Sequence, residues 1–206
     1  MDAQQLPLFP LPIVLFPGTL IPLHIFEPRY REMVADVLET DRRFGLIYHD
    51  PDRQGPFLNE EGRVGTVALI RRHQPLTDGR SLILVRGVER FRIASEAEGP
   101  SPYYEAFVTE VRDDPPADPE ALVARRKSLL ALFRSVLHTM PHVPEALPRF
   151  DVREELSYKL AATVRMDPFW QQELLEILDE EFRLSRLAPV FRAGIDRWLD
   201  DWQAKA

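Results

Sequence analysis

The chain holds 206 residues, 45% of them apolar and 29% charged, and its formal net charge is −7. That length suffices for one large domain or two small lobes, and the acidic balance argues against an extended phosphate-binding surface. With no cysteine in the chain, disulfides and thiolate chemistry are excluded.

Three apolar runs open the chain, Leu6–Pro12, Ile13–Pro17 and Leu20–Phe26, each cut by proline. Proline lacks an amide donor and sits at strand edges, strand starts or bulges, so these runs predict several short, irregular strands. Pro17–Gly18 marks a turn, because proline presets one turn angle and glycine tolerates positive φ. Pro28 suits a first helical turn, and Tyr30, Met33, Val34, Val37 and Leu38 recur at helical spacing. Arg43–Tyr48 returns to strand character, and Asp50–Pro56 reads as a loop. A strand is expected within Gly62–His73, then a hairpin turn at Asp78–Gly79 and a buried strand over Leu82–Val85. Gly87 marks a bulge, after which Phe91 and Ile93 share one face and Arg90 and Arg92 the other. Single charges usually lie on solvated faces, so Arg90 reads as a surface or rim cation. Tyr103–Val111 alternates in the same way, and six or more strands around one helix predict a small β-barrel.

Asp113–Pro119 is a stiff, polar, proline-rich connection and the clearest boundary in the chain. It divides a β-barrel lobe, 1–113, from a helical bundle lobe, 114–206. The first bundle helix carries Leu122, Leu129, Leu132, Phe133, Val136, Leu137 and Met140 and stops before Pro141. Asp151 with Glu154 reads as the cap of a second helix, and Asp167–Pro168 starts a third with Trp170, Leu174 and Leu175. A fourth runs from about Glu180 through Leu184, Leu187, Phe191, Ile195 and Trp198, with a kink or interruption at Pro189. The fold class is therefore α+β, a six-stranded barrel lobe with one embedded helix followed by about four bundled helices.

Chemistry is hard to find. No Gly-Lys dipeptide occurs, so the end of a phosphate loop is missing, and Lys127–Ser128 lies within an amphipathic helix. His138 and His142 have the i, i+4 spacing of a metal pair, but Pro141 stands between them and no glutamate follows His138. No metal and no cofactor is expected. Glu60–Glu61 and Glu154–Glu155 read as solvated charge, since adjacent helical residues do not face each other. The first residues carry no basic segment, and no stretch approaches the roughly 20 uninterrupted apolar residues of a membrane span. The expected location is the cytoplasm.

Several of these stretches also carry a family resemblance. Leu6–Leu11, Ile13–Leu15, Phe16-Pro17-Gly18 and Leu20–Leu23 are similar to the opening of the amino-terminal domain of Lon proteases. Gly65-Thr66-Val67-Ala68 and Asp78-Gly79-Arg80, then Leu84–Ile93 with its Val-x-Gly-x-x-Arg-Phe spacing, match the same pattern. Gln171–Asp179 and Arg183-Leu184 resemble the helical signature of that domain, and Ile25–Tyr30 looks closer to its stand-alone relatives.

The resemblance implies a PUA-like pseudo-barrel with a helical bundle, free of the ATPase and the Ser-Lys peptidase. It also implies a non-catalytic module that binds unfolded or extended polypeptides and serves a protease or adaptor. Proline-broken apolar strands near the start offer a groove or strand edge for such a segment. The residues chosen for its rim are His24, Phe26, Tyr48 and Arg90. Two other readings stand beside it. One is RNA binding through Arg71, Arg72, Arg86, Arg90 and Arg92 with Tyr103 or Tyr104 stacking. The other is assembly, including a homodimer anchored by Trp198 and Trp202.

Overall fold

The computed structural model describes residues 3–139 and 149–203, with side chains over 3–138 and 149–194. The expectations at Met140, Pro141 and His142, and for the side chains of Ile195, Trp198 and Trp202, lie outside the described residues. Two compact units emerge. One comprises Met1–Arg112 with Met166–Glu176, the other Asp113–Arg165 with Ile177–Ala206.

The first unit is built on six strands, β1 (Gln4–Leu11), β2 (Leu20–Ile25), β3 (Arg43–Tyr48), β4 (Val64–Pro75), β5 (Ser81–Glu96) and β6 (Tyr104–Val111). Their order is β2-β5-β4-β3-β1-β6, and a further β5–β6 pairing closes the last five into a barrel. β1 carries Pro7 and Pro10 without being at an edge. It pairs antiparallel with β6 over Gln4–Leu8 and parallel with β3 over Leu8–Leu11. Each proline thus has a strand partner on one flank only, and a missing amide donor can face the other side. Ile13–Pro17 is not the strand its apolar run predicts. It is an irregular passage that buries Leu15 and Phe16 before the turn.

That turn explains Gly87. Gly18 adopts a φ of +79°, and its amide donates to the Gly87 carbonyl at 2.8 Å, while the Gly87 amide donates to Thr19 at 3.0 Å. A Cβ on Gly87 would stand 2.3 Å from the Phe16 carbonyl oxygen. The β4–β5 register also shifts here, between Thr66↔Arg90 and Ala68↔Gly87, so β5 carries one extra residue. Inside the barrel, Phe91 fills the centre among Leu6, Leu8, Ile47, Val67, Ile93, Ala106 and Val108. Side chains at Gly45 or Gly65 would overlap its ring.

The embedded helix α1 (Pro28–Leu38) buries Tyr30, Met33, Val34 and Val37 against Leu23, Ile25, Ile70, Ile83 and Val85. The loop expected after β3 contains a single helical turn, α2 (Pro51–Gln54), capped by the Asp50 carboxylate on the Asp52 amide at 3.1 Å.

The second unit contains α3 (Pro119–Thr139), a short α4 (Ser157–Ala161) and α6 (Glu180–Gln203). α5 (Pro168–Glu176), expected third in the bundle, groups with the barrel unit instead. There, Gln172 donates to the Val64 carbonyl at 2.9 Å, and Arg53 pairs with Asp167 at 3.2 Å. Asp151 does not cap the second helix, since its carboxylate turns to the Arg153 amide. Glu155 takes the Tyr158 amide instead, at 3.0 Å. Pro189 does not interrupt α6, which continues through it with the proline at an exposed position.

Candidate polypeptide-binding face

β5 is long enough to belong to the barrel and to extend beyond it within the same sheet. Its second half closes the barrel, while its first half joins β2 and the end of β4 in a three-stranded wing. One side of the wing packs on α1. The other is open, because successive strand side chains alternate between faces. Leu20, Pro22, His24 and Phe26 all fall on the open side, and register places Arg86 beside Leu20, Leu84 beside Pro22 and Leu82 beside His24. Leu20 is 56% exposed, Phe26 57% and Leu82 44%. His24 and Phe26 touch, with ring centroids 5.6 Å apart.

Fully burying one such side chain contributes roughly 1.5–3 kcal/mol. Several such side chains left open on a single face therefore make it a candidate interaction surface. The Leu82–Val85 run, expected to be wholly buried, is so only at Ile83 and Val85.

Arginine borders this face. A register shift between Ile70 and Arg72 leaves Arg71 as an extra residue opposite Leu84, so Arg71 and Arg72 stand together there. Arg71, Arg72 and Arg86 are exposed, and none has an ion-pair partner among the described residues. The acids that follow β2 and lie in the β4–β5 turn are engaged, Glu27 by Arg29 at 3.0 Å and Asp78 by Arg80 at 2.6 Å.

Of the four chosen rim residues, the structure brings together only His24 and Phe26. Tyr48 is buried, its carbonyl taken by Arg63 at 2.8 Å. Arg90 is not the expected surface cation. It points outward from the barrel but is buried, donating to the Leu175 carbonyl at 2.8 Å. Sequence reasoning missed Leu20, Leu82, Leu84 and Arg86 as one face; the signal was the period-two spacing of Leu20, Pro22, His24 and Phe26. Nor do the proposed nucleic-acid residues form one set. Arg90 is buried, Tyr104 packs on Phe57 at 4.8 Å, and the Tyr103 hydroxyl donates to Asp36 at 2.9 Å.

Elsewhere, the Ser128 hydroxyl donates to the Ala124 carbonyl of its own helix. No three metal-ligating side chains gather among the described residues. No helix among them is long and apolar enough to cross a membrane.

Buried polar chemistry concentrates in the second unit. Arg183 is fully buried and donates to Asp113 at 2.8 and 2.5 Å, to the Ser157 hydroxyl at 2.8 Å and to the Ile177 carbonyl at 2.7 Å. Its guanidinium stands 4.2 Å over the Tyr158 ring. Glu155 is not the solvated charge expected of an acidic pair. Its carboxylate accepts from Ser157 and lies 3.7 Å from Arg183. Arg126 clasps Glu180, whose carboxylate also takes the Leu156 amide at 3.0 Å.

The first unit is thus a β-barrel with a helix-backed wing whose outer side is open and apolar. Residues 5–190 match the family described as the ATP-dependent protease La (LON) substrate-binding domain, and the chain belongs to that family. It is 26% identical to a Lon protease of Cytophaga hutchinsonii over 95% of its own length. It is 33% identical to Lon protease 2 of Sorangium cellulosum over 69%. The chain spans only 25% and 18% of those two relatives. Among solved structures, the Lon N-terminal domain protein of Xanthomonas campestris superposes with a TM-score of 0.61 at 23% identity, covering 89% of this chain and 96% of that one. The N-terminal domain of Mycobacterium avium complex Lon protease gives 0.63 at 21%, covering 96% and 99%. Both similarities concern the fold, which is the expected α+β architecture.

Proposed function

We propose that this chain is a non-catalytic polypeptide-binding module that receives extended, unfolded segments on the open face of the β2–β5 wing and supplies them to proteolysis. The observation that carries the reading is the alternate exposure of Leu20, Pro22, His24 and Phe26 beside Leu82 and Leu84. The family description supports the substrate class. Capture through side chains is favoured over strand addition, because Pro22 has no amide to donate and interrupts the edge of β2. Within the proposal His24 and Phe26 are contact residues, whereas Tyr48 and Arg90 support the barrel.

The test is fluorescence anisotropy of a labelled, denatured and alkylated globular protein titrated with the chain. Phe26→Ser with Leu82→Ser is expected to weaken binding by about tenfold or more, as loss of two buried contacts does. The unfolding midpoint should stay in place. Unchanged affinity in a folded double variant would remove the wing from the mechanism.

A further inference from the structure

The wing is cationic in an acidic protein, and its cations have no ion-pair partner among the described residues. Against a net charge of −7, the open face carries Arg86 next to Leu20, and Arg71 with Arg72 opposite Leu84, with Glu27 and Asp78 already neutralised by Arg29 and Arg80. The arrangement is one-sided. Apolar groups follow β2 and the outward positions of β5, while the cations lie on β4 and at the Arg86 end.

We infer that the face selects by charge, taking apolar segments that carry aspartate or glutamate beside their apolar residues and disfavouring those flanked by lysine or arginine. This rests on the polypeptide-binding reading above and adds its substrate class. Neighbouring strands are about 4.8 Å apart and alternate residues of one strand about 6.8 Å. Arg86 and the Arg71–Arg72 pair are therefore offset by one strand and one step of two residues. That offset suits acidic side chains at alternate positions of an extended segment lying along β2 and β5, its apolar side chains on Leu20, Leu84 and Phe26. Guanidinium groups on exposed stems grip carboxylates in a forked pair and cover apolar surface with their stems. Like charge opposite them is repelled, so rejection contributes as much as attraction.

The measurement uses the full chain and three labelled peptides with one shared apolar core, flanked by aspartate, serine or lysine. The aspartate peptide is expected to bind about tenfold more tightly than the lysine peptide, as two or three exposed pairs allow. The gap should close between about 0.1 M and about 1 M ionic strength, where screening shortens from about 10 Å to about 3 Å. Arg71→Glu, Arg72→Glu and Arg86→Glu together should invert the order, and the corresponding glutamine variant, safer for folding, should flatten it. Equal affinity for all three peptides, with Phe26→Ser still weakening each, would overturn charge selection and leave the polypeptide reading intact. Binding of none would overturn both. Displacement of the aspartate peptide by a single-stranded oligonucleotide or an anionic lipid vesicle, lost in the glutamine variant, would give the arginines to a different ligand and overturn the inference.

Discussion

Two groups of arginines, one in each unit, use the same side chain in opposite ways. In the second, Arg183 and Arg126 are buried, with their donors taken by Asp113, Ser157, Ile177, Glu180 and Val152. In the first, Arg71, Arg72 and Arg86 stand in solvent beside uncovered leucines. A buried guanidinium is worth having only when nearly every proton is placed, because desolvation otherwise exceeds the Coulombic gain. An exposed one contributes little to the fold and is free for a partner. Arginine suits both, since it stays charged in either setting and its planar fork matches carboxylates.

The sharpest way to break the contrast is Arg183→Ala. It removes the guanidinium that Asp113 and Glu155 face and leaves the Ser157 hydroxyl and the Ile177 carbonyl without this donor. Removing one partner of a buried pair costs about 3–5 kcal/mol, a large share of the roughly 5–15 kcal/mol that holds a typical domain together. Urea unfolding followed by circular dichroism should show a loss in that range. A loss below about 1 kcal/mol would mean that the second unit is held by its leucine and phenylalanine core, with the arginine cluster incidental.

The sequence revealed part of this contrast and concealed the rest for a definable reason. The Pro17–Gly18 turn and Gly87 were each legible from backbone preference, but their meeting was not, because they are far apart in the chain. Arg183 stood out through the helical signature, and Arg90 through the Val-x-Gly-x-x-Arg-Phe spacing. Neither position announced its burial, since a lone arginine looks alike whether a helix or water covers it. The continuous Leu82–Val85 run misled in the other direction. An unbroken apolar stretch fits a strand buried on both faces, and only pairing to the edge strand β2 shows that Leu82 faces outward. At Glu154–Glu155, adjacency suggested solvated charge, yet the two side chains diverge and one enters the Arg183 cluster.

A smaller effect comes from Glu155. Burial, with the negative charge of Glu180, raises the pKa of its carboxyl against the Ser157 hydroxyl, the Tyr158 amide and Arg183, all of which favour the charged form. The folded chain therefore holds this proton at pH values where the unfolded chain has released it. Folded binds more protons than unfolded, so this group's contribution is fully present below the ordinary carboxyl range and is lost as pH rises through the raised value. Glu155→Gln fixes a neutral amide at the site. Its difference in stability from the parent, followed by unfolding midpoint from pH 4 upward, is expected to shift in the variant's favour as pH rises. A constant difference would mean that Glu155 titrates alike in both states, and the cluster would then hold a full carboxylate beside Arg183.

The smallest expected effect is on the wing, and it sharpens the comparison most because it is close to zero. Arg71→Ala, Arg72→Ala and Arg86→Ala each remove an exposed charge with no ion-pair partner among the described residues, and surface changes of this kind stay within about 0.5 kcal/mol. Summed without coupling, the three changes keep the triple variant within about 1.5 kcal/mol of the parent, and any coupling comes from the charges themselves because the sites are neighbours. Relief of repulsion among three neighbouring cations tilts the expectation toward slight stabilisation at low salt that fades as salt is added. A triple variant destabilised by several kcal/mol would place these arginines in the fold as firmly as Arg183, leaving no free cations on the wing to meet a partner.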